Sequence, residues 1–326
     1  MPIKNAAPYL RDCLDSILVQ SHVNWELIAV NDHSTDDSEQ ILKEYASFDS
    51  RVIPFRNRGD GIIKALRLAL SFSDGDLITR MDADDIMHPR KLEQMCNALV
   101  NHGKGHIALG QVKYFAEGGL KDGYRRYEQW LNGLTSRGEN FTELYRECVI
   151  PSPCFMVYQD DLKRAGSFDT DTYPEDYDLA FRLYSAGFKC IPSNEVIHYW
   201  RDYPERTSRT DDNYADNRFL DLKMDYFLKL HHDSDRELVV WGAGNKGKLI
   251  TKRIQAEGIK PRWVCDNHNK IGHQVYDIEI EHYQQIEKIE APQVIVSIAN
   301  PAEQAGVVEI LEKRSLKPLE DYFLFC

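Results

Sequence analysis

The chain has 326 residues, of which 42% are hydrophobic, and carries 40 basic against 52 acidic side chains, a formal net charge of −12. This length allows two domains with ordinary cores. The acidic balance argues against a nucleic-acid or anionic-membrane binder, so an anionic substrate would need local positive charge or a metal ion.

Cysteine usage and hydropathy indicate a cytoplasmic protein. The seven cysteines are scattered and odd in number, without a CxxC pair, which is typical of reduced thiols. No apolar run approaches the ~18–20 residues of a membrane span, and no signal peptide is recognised. Peripheral contact with the inner face of the membrane, through a lipid-linked acceptor, stays compatible with the sequence, and the oligomeric state is not indicated.

Strand and helix patterns alternate along the first half of the chain. Strand-like apolar runs lie at 26–30, 52–55, 77–79, 107–115, 154–158 and 196–200. Helical patterns follow residues 5, 37 and 174 and cover 61–71 and 89–102, and a loop or short helix over a cleft is predicted at 118–138. The alternation predicts an α/β fold with a mostly parallel sheet and helices on both faces.

Three carboxylates follow the apolar run 77–79, in the stretch Arg80-Met81-Asp82-Ala83-Asp84-Asp85. They lie at the carboxyl end of a predicted buried strand, where open α/β sheets bind ligands. Close like charges repel unless positive charge lies between them, and a hard divalent cation with oxygen ligands is suited to that position. The alternative is that Asp84 and Asp85 only cap the following helix.

Five motifs in the first ~210 residues, taken in order and spacing, resemble the family 2 glycosyltransferases, which have the GT-A fold. The motifs are Pro2-x-x-Asn5-Ala6 with Tyr9-Leu10, residues 31–38 (NDHSTDDS), Gly75-Asp76-Leu77-Ile78 leading into the acidic stretch, Gly166 before Phe168, and residues 175–179 (EDYDL). The resemblance implies a GT-A type nucleotide-binding domain over residues 1–209.

One departure concerns the start of the chain. The family begins with a central apolar strand just before the position of Pro2, and this strand is absent here. Either the sequence starts inside a longer protein, which we favour, or the sheet lacks a central strand.

The resemblance also assigns roles to individual residues. Asp84, assisted by Asp82, would bind Mn²⁺ or Mg²⁺, and Asp176 would be the general base for the acceptor hydroxyl. Glu175 and Trp200 would orient the acceptor. The donor-binding positions are Pro2, Lys4, Asn5, Asp32, Ser34, Lys64, Asp82, Ala83, Arg201, Arg206 and Arg209.

Each role has a structural alternative. The Glu175-Asp176 pair is also typical of an acid-rich helix N-terminus. For Arg201, Arg206 and Arg209, the alternative is that they are solvated surface residues. For Trp200, the alternative is that it is a core aromatic. His198, inside the last strand, is expected to be packed rather than bound to metal.

A second α/β unit is predicted at 236–326, after a helical linker at 210–235. Gly242-Ala243-Gly244-Asn245-Lys246-Gly247 follows a strand and precedes a helix, and Asp266 lies nineteen residues after Gly247. That context fits a dinucleotide fingerprint, although only about three strands are predicted. The unit is interpreted as a Rossmann-like accessory domain that either binds a nucleotide such as NAD or packs tightly at its glycines.

Three functions compete. The first is a metal-dependent, inverting glycosyltransferase that uses a nucleotide sugar, with UDP favoured, to modify a glycan or lipid-linked acceptor in surface polysaccharide synthesis. The second is an NAD-dependent oxidoreductase or nucleotide-binding module based on the C-terminal glycines, and the third is a non-catalytic truncated homologue. The sugar, acceptor and linkage depend on variable loops and are not predicted.

Overall fold

The computed structural model describes residues 1–204, 206 and 219–326, and its internal contacts group the chain into two units. The first comprises 1–141 and 149–210, and the second 142–148 and 211–326. Over the described ranges, no helix combines the length and apolar character that a membrane crossing requires.

The first unit is built from short strands and amphipathic helices. Its strands are β1 (Pro2–Ile3), β2 (Leu27–Asn31), β3 (Val52–Arg56), β4 (Leu77–Thr79), β5 (Ile86–Met87), β6 (His106–Leu109), β7 (Gln111–Phe115), β8 (Phe155–Tyr158), β9 (Lys189–Ile191) and β10 (Val196–Arg201). Its helices are α1 (Ala7–Leu18), α2 (Ser38–Phe48), α3 (Ile62–Ser71), α4 (Lys91–His102), α5 (Asp122–Arg137), α6 (Gln159–Arg164) and α7 (Glu175–Ser185).

These strands form three sheets. The first, in the order β1-β2-β3, is parallel throughout. In the second, β4-β8-β6-β9, strand β8 runs antiparallel to β4 and β6. In the third, β5-β10-β7, strand β10 runs parallel to β7 and antiparallel to β5. The acidic stretch therefore connects an edge strand of the second sheet to an edge strand of the third.

Apolar spacing explains how α1 is held. Leu10, Cys13, Leu14 and Ile17 repeat at three- and four-residue intervals, and all four are buried. They belong to a core cluster that also contains Met87, just beyond the acidic stretch.

The predicted strands and helices of this unit are confirmed in most places, with informative exceptions. The run 107–115 is two strands, β6 and β7, because the chain leaves one sheet at Gly110 and joins another. The segment 118–138 contains the 16-residue helix α5 rather than a loop or short helix. β4 was predicted to be buried, yet all three of its residues are half-exposed.

The first strand of the chain is short but present. Pro2 and Ile3 pair in parallel with Val30 and Asn31. The sequence patterns did not predict a strand at these two residues.

In its described residues, the second unit has one six-stranded sheet and three α-helices. Its strands are β11 (Leu238–Trp241), β12 (Arg262–Cys265), β13 (Gln274–Val275), β14 (Ile278–His282), β15 (Gln293–Val296) and β16 (Tyr322–Leu324), and its helices are α8 (Phe219–Leu230), α9 (Asn245–Ala256) and α10 (Pro301–Lys313). The order is β13-β14-β12-β11-β15-β16, parallel except for β13. The expectation of about three strands was too low, because β13, β14 and β16 were not recognised; β13 has only two residues, and β14 alternates isoleucine with glutamate.

Helix α8 occupies part of the predicted linker. Its Leu222, Met224 and Phe227 are buried, and the Phe227 ring lies 4.9 Å from that of Phe323. The contacts thus place α8 in the second unit. The first nine residues of the predicted linker, 210–218, lie outside the described part of the chain.

Candidate active site

Arg80 connects the acidic stretch to the acidic start of α7. This side chain is 7% exposed. Its Nε donates to Asp82 Oδ1 at 2.8 Å, and its Nη1 donates to Glu175 Oε1 at 2.8 Å. Burial disfavours charge on Asp82, but the adjacent guanidinium keeps its pKa below the ordinary value. Arg80 and Glu175 lie 95 positions apart in the chain. Their hydrogen bond therefore holds the two predicted site motifs together.

Asp84 lies in a crowded acidic environment. Burial and the charges of Asp85 and Asp82 raise its pKa to about 6. The Tyr203 hydroxyl donates to Asp84 Oδ2 at 2.9 Å. The Arg206 guanidinium is one nearby cation, and the Asp85 and Asp84 charges raise its pKa despite burial. Repulsion of this kind is relieved by a cation bound to Asp84.

Asp85 is fully buried, and its hydrogen bonds hold the acidic stretch in place. Its Oδ1 accepts from the Arg201 backbone N–H at 2.9 Å, and its Oδ2 lies 3.0 Å from His198 Nε2. His198 Nδ1 lies 3.1 Å from the buried Lys91 Nζ, which also donates to the Pro153 carbonyl. His198 is therefore a packed, hydrogen-bonded residue, as expected, and Asp85 is occupied by protein partners.

The Glu175-Asp176 pair opens α7 within reach of Arg80. Glu175 is 5% exposed, and its Oε2 has no hydrogen-bond partner among the described residues. Asp176 Oδ1 accepts from the Tyr177 N–H at 2.7 Å. Burial and the neighbouring Glu175 carboxylate raise the pKa of Asp176 to about 7, although the charge of Arg80 opposes the shift. A carboxyl with such a pKa can accept a proton near neutral pH.

Asp32 forms a second polar group at the end of β2. It is 3% exposed, and its carboxylate accepts from Asn57 Nδ2 at 2.6 Å and from the Gly61 N–H at 3.1 and 3.2 Å. Lys4 Nζ lies 3.4 Å from Asp32 Oδ2 and 3.6 Å from Asp60 Oδ1. The amide and backbone N–H groups fix the Asp32 carboxylate in one orientation.

The loop between β1 and α1 is tied to the loop after β2. Ser34 Oγ accepts from the Asn5 N–H at 3.0 Å, and Asn5 Oδ1 accepts from the Thr35 N–H at 2.8 Å. Asn5 and His33 both adopt positive φ, 51° and 56°. Four predicted donor-binding residues, Lys4, Asn5, Asp32 and Ser34, are thus brought together.

A possible cation site also lies here. One ligand atom from each of Asp32, His33 and Asp60 falls within 4.8 Å of the others. This group was not predicted from the sequence, and two of its members are exposed. Asp32 already accepts hydrogen bonds from Asn57 and Gly61, so the Asp84 region has the stronger electrostatic demand for a cation.

Other predicted residues lie apart from these groups or are used within the fold. Lys64 pairs with Asp171 at 3.1 Å. The Arg201 guanidinium donates to the Asp84 carbonyl at 2.8 Å and pairs with Asp12 at 2.9 Å, so it supports the acidic stretch instead of remaining a solvated surface group.

The acceptor-orienting role predicted for Trp200 does not fit its burial. The ring is 6% exposed and belongs to a hydrophobic core, 5.0 Å from the ring of Tyr114, so it has little free face for a sugar. Ala83 is buried and Pro2 half-buried. Arg209 lies outside the described residues.

Residues 1–166 match the family model described as glycosyl transferase family 2. The chain belongs to this family. The expected family and the α/β fold class are confirmed.

Curated relatives of this family 2 glycosyltransferase come from several bacteria. It is 36% identical over 203 residues to the putative teichuronic acid biosynthesis glycosyltransferase TuaG of Bacillus subtilis strain 168, covering 61% of this chain and 76% of TuaG. The putative glycosyltransferase EpsE of the same strain is 29% identical over 233 residues, 71% of this chain and 82% of EpsE. Glycosyltransferase GlyA of Streptococcus pneumoniae serotype 4 is 30% identical over 210 residues, which are 62% of this chain but only 30% of GlyA.

Among solved structures, Staphylococcus aureus TarS 1-349 in complex with UDP-GlcNAc shares the fold. Its TM-score is 0.53 at 16% sequence identity, covering 77% of this chain and 69% of TarS 1-349. At this identity the similarity concerns the fold alone.

Several residues of the candidate site were not predicted from the sequence. Arg80 belongs to the acidic stretch, but the sequence did not assign it a role. Asn57 and Gly61 were not identified, because they lie in a separate segment from Asp32. Each acts through contacts between strand ends, which local patterns do not reveal.

The glycines of the second unit lie in a tightly packed turn. A Cβ on Gly247 would lie 2.0 Å from the Gly242 carbonyl oxygen, and Gly242 itself has φ +121°. That carbonyl accepts from Trp263 Nε1 at 2.8 Å and from Ser297 Oγ at 3.1 Å. Asp266 is exposed at the end of β12. Close packing therefore accounts for glycine at positions 242 and 247.

Proposed function

We propose that this family 2 glycosyltransferase transfers a sugar from a nucleotide diphosphate sugar, with UDP as the favoured nucleotide, to an acceptor hydroxyl in surface polysaccharide synthesis. The proposed reaction is metal-dependent and inverts the anomeric carbon. The single observation that carries it is the buried Arg80 bridge, because this bridge joins the acidic stretch to the candidate base in one site.

The donor side is supported by two polar groups. Asp32, held by Asn57 and Gly61, offers oriented carboxylate oxygens to the N–H of a pyrimidine ring, with Lys4 beside it. The charge of Arg206, near Asp82 and Asp84, suits a diphosphate. UDP-GlcNAc is the ligand in the TarS complex that shares this fold.

The acidic stretch fits a divalent metal through Asp84. Asp82 is engaged by Arg80, and Asp85 by His198 and the Arg201 N–H, whereas the Asp84 carboxylate accepts a hydrogen bond from the Tyr203 hydroxyl. Mg²⁺ and Mn²⁺ accept one or two carboxylates together with substrate phosphates. When bound, such an ion would neutralise charge on the leaving diphosphate.

The acceptor side is assigned to α7. Asp176 takes the proton of the acceptor hydroxyl as its oxygen attacks the anomeric carbon, and the nucleoside diphosphate leaves from the opposite face. The unpartnered Glu175 Oε2 can accept a hydrogen bond from another hydroxyl of the acceptor. The proposed reaction is a single displacement without a covalent intermediate, so the configuration of the anomeric carbon is inverted.

The acceptor class is supported by the relatives' names alone. TuaG is named as a putative teichuronic acid biosynthesis glycosyltransferase. A glycan or lipid-linked acceptor at the inner membrane face agrees with this, whereas the sugar and linkage stay open.

Calorimetry and donor hydrolysis test the proposal. UDP with Mn²⁺ should bind, and release of UDP from a UDP-sugar panel should be detectable. Asp84→Ala should abolish activity and should make UDP binding independent of Mn²⁺. Asp176→Asn should retain UDP binding, and its rate of UDP-sugar hydrolysis should fall by a factor of about 10²–10⁴.

Asp160→Asn serves as the control, since Asp160 is an exposed partner of Lys104 and belongs to neither motif. It should behave like the unmodified chain. Failure of UDP and Mn²⁺ to bind, or full activity in Asp176→Asn, would overturn the proposal.

A further inference from the structure

The loop 166–174 connects α6 to the first turn of α7, where the candidate base Asp176 lies. We call it the α7 loop. It contains the motif formed by Gly166 and Phe168, to which the proposed reaction assigns no role. Since only Glu175 separates this loop from Asp176, the position of the loop determines the position of the base.

The α7 loop begins at a fixed point on α6. The Gly166 N–H donates to the Lys163 carbonyl at 2.9 Å, and the Ser167 N–H donates to the Leu162 carbonyl at 2.8 Å. Gly166 has a φ of +80°, so these two bonds are the Schellman motif that commonly ends a helix. Phe168 is buried directly after this turn. The start of the loop is therefore ordered.

Arg67 of α3 holds the next residues of the α7 loop. Its Nε donates to the Phe168 carbonyl at 2.5 Å, and its Nη2 donates to the Asp169 carbonyl at 2.6 Å. Nη2 also lies 2.8 Å from Asp171 Oδ1. A planar guanidinium can donate to two carbonyls at once, which a lysine ammonium on a flexible stem cannot reproduce. One side chain thus contacts three of four consecutive loop residues.

Helix α3 connects this contact to the donor side of the candidate site. Its buried Ala65 and Ala69 belong to one core cluster with residues of β2. Gly61, the residue before α3, donates its N–H to Asp32, which directly follows β2. Because α3 is packed on the strand that leads to Asp32, Arg67 has a fixed position relative to the proposed donor pocket.

The other end of the α7 loop is tied to α7 itself. Thr170 Oγ1 donates to Asp178 Oδ2 at 2.7 Å, and Arg182 Nε donates to the same oxygen at 2.8 Å. Arg182 Nη1 also donates to the Ala165 carbonyl. Asp178 is a buried member of the fifth sequence motif without a role in the proposed reaction. A displacement of the loop would therefore be passed to the first turn of α7.

We propose that Arg67 is a positioning residue for the general base, and that its two carbonyl hydrogen bonds set the place of Asp176 relative to the bound donor. This inference rests on the proposed function. Reacting atoms must approach to about 3–3.5 Å, and a misplacement of about 1 Å can cost roughly 10²-fold in rate. The competing interpretation is that Arg67 only stabilises the fold.

Arg67→Ala separates these two interpretations. The kcat for UDP release from a UDP-sugar should fall about 10²-fold. The Kd for UDP with Mn²⁺ should change by less than about twofold, because the hydrogen bonds of Arg67 go to backbone carbonyls of the loop. The Arg67 side chain is 25% exposed, so a small cation can enter the vacated position from solvent. Added methylguanidinium should therefore recover about tenfold in rate.

Two further variants identify which contact of Arg67 matters. Arg67→Lys keeps the charge beside Asp171 but cannot replace both carbonyl bonds, so we expect a loss of about tenfold in kcat. Asp171→Asn is the matched control, because it removes a 71%-exposed ion-pair partner and leaves both carbonyl bonds in place. Its kcat should stay within about twofold of the unmodified chain.

Hydrogen exchange measures the loop without any sugar transfer. The Asp169 N–H donates to the Gly166 carbonyl at 3.1 Å, and the Tyr177 N–H donates to Asp176 Oδ1 at 2.7 Å. Arg67→Ala should speed exchange at these two amides by at least about tenfold, whereas Asp171→Asn should not. If Arg67→Ala does not fold, the same comparison is made with Arg67→Lys.

Unchanged exchange in Arg67→Ala would overturn the proposal, because the loop would then not depend on this side chain. Faster exchange with an unchanged kcat, or a loss of UDP affinity as large as the loss of kcat, would also overturn it in favour of a purely structural role. If the unmodified chain binds UDP and Mn²⁺ but releases no UDP from any UDP-sugar, the proposed function fails. Exchange would still decide whether Arg67 holds the α7 loop.

Discussion

At the scale of single residues, Arg80 has the largest share in organising the site. One guanidinium satisfies carboxylates from two motifs, with both partners largely removed from water. Its planar fork allows two separate hydrogen bonds that a lysine cannot reproduce. The proximity of Asp82 and Glu175 therefore depends on this side chain, because without it the two carboxylates would repel each other.

Replacing Arg80 tests that dependence. Arg80→Gln leaves Asp82 and Glu175 without their cation, so we expect a loss of about 3–5 kcal/mol in the free energy of unfolding. UDP-sugar hydrolysis should fall at least about 10²-fold. Chemical denaturation and UDP release measure the two effects. The control is Arg90→Gln, which removes an exposed arginine that pairs with Glu93 and should leave both quantities unchanged. Equal behaviour of the two variants would refute the bridging role.

Asp176 makes the proposed reaction pH-dependent. The general base must be ionised, and burial beside Glu175 raises its pKa to about 7. We therefore expect kcat/KM to rise with pH and to level off above about 7. The measurement is made with saturating Mn²⁺, so that protonation of Asp84 does not contribute. An inflection near 4, where an ordinary aspartate titrates, would contradict this assignment.

At the scale of elements, the acidic stretch is held by three of them. β5 follows it directly, β10 contributes His198 and the Arg201 N–H, and α4 contributes Lys91. The buried polar chain formed by Asp85, His198 and Lys91 satisfies groups that would be costly to leave without partners. The acidic stretch is therefore positioned by regular structure on its buried side, while Asp84 stays half-exposed.

In the second unit, the turn between β11 and α9 depends on one close backbone contact. Gly247→Ala would place a methyl group 2.0 Å from the Gly242 carbonyl oxygen, so we expect about 1–3 kcal/mol of destabilisation. Gly244→Ala is the matched control, because its Cβ would meet nothing within 4 Å and its φ is −81°. Denaturation curves of both variants measure the difference. If both substitutions cost the same, close packing is not the reason for glycine at 247.

At the scale of the whole molecule, the sequence predicted local elements better than their assembly. Apolar periodicity was sufficient for α1, β2 and β4, since these signals lie within a few neighbouring residues. It did not reveal the length of α5, whose apolar positions are interspersed with charges, or the strands β13, β14 and β16. The same limit applied to the site, where the acidic motifs were recognisable but Arg80 and Asn57 act across distant segments.

The two units can be distinguished by which nucleotide stabilises the chain. UDP with Mn²⁺ at about 100 times Kd should raise the Tm of one unfolding transition by about 5–10 °C, because it binds only the folded first unit. If the glycines of the second unit serve packing alone, NAD at the same concentration should leave every transition unchanged. Asp32→Asn should remove most of the UDP effect by replacing one carboxylate oxygen with an amide donor. Asp266→Asn is the control and should preserve it, because Asp266 is exposed in the other unit. An NAD-dependent rise that disappears in Asp266→Asn would instead assign a dinucleotide site to the second unit.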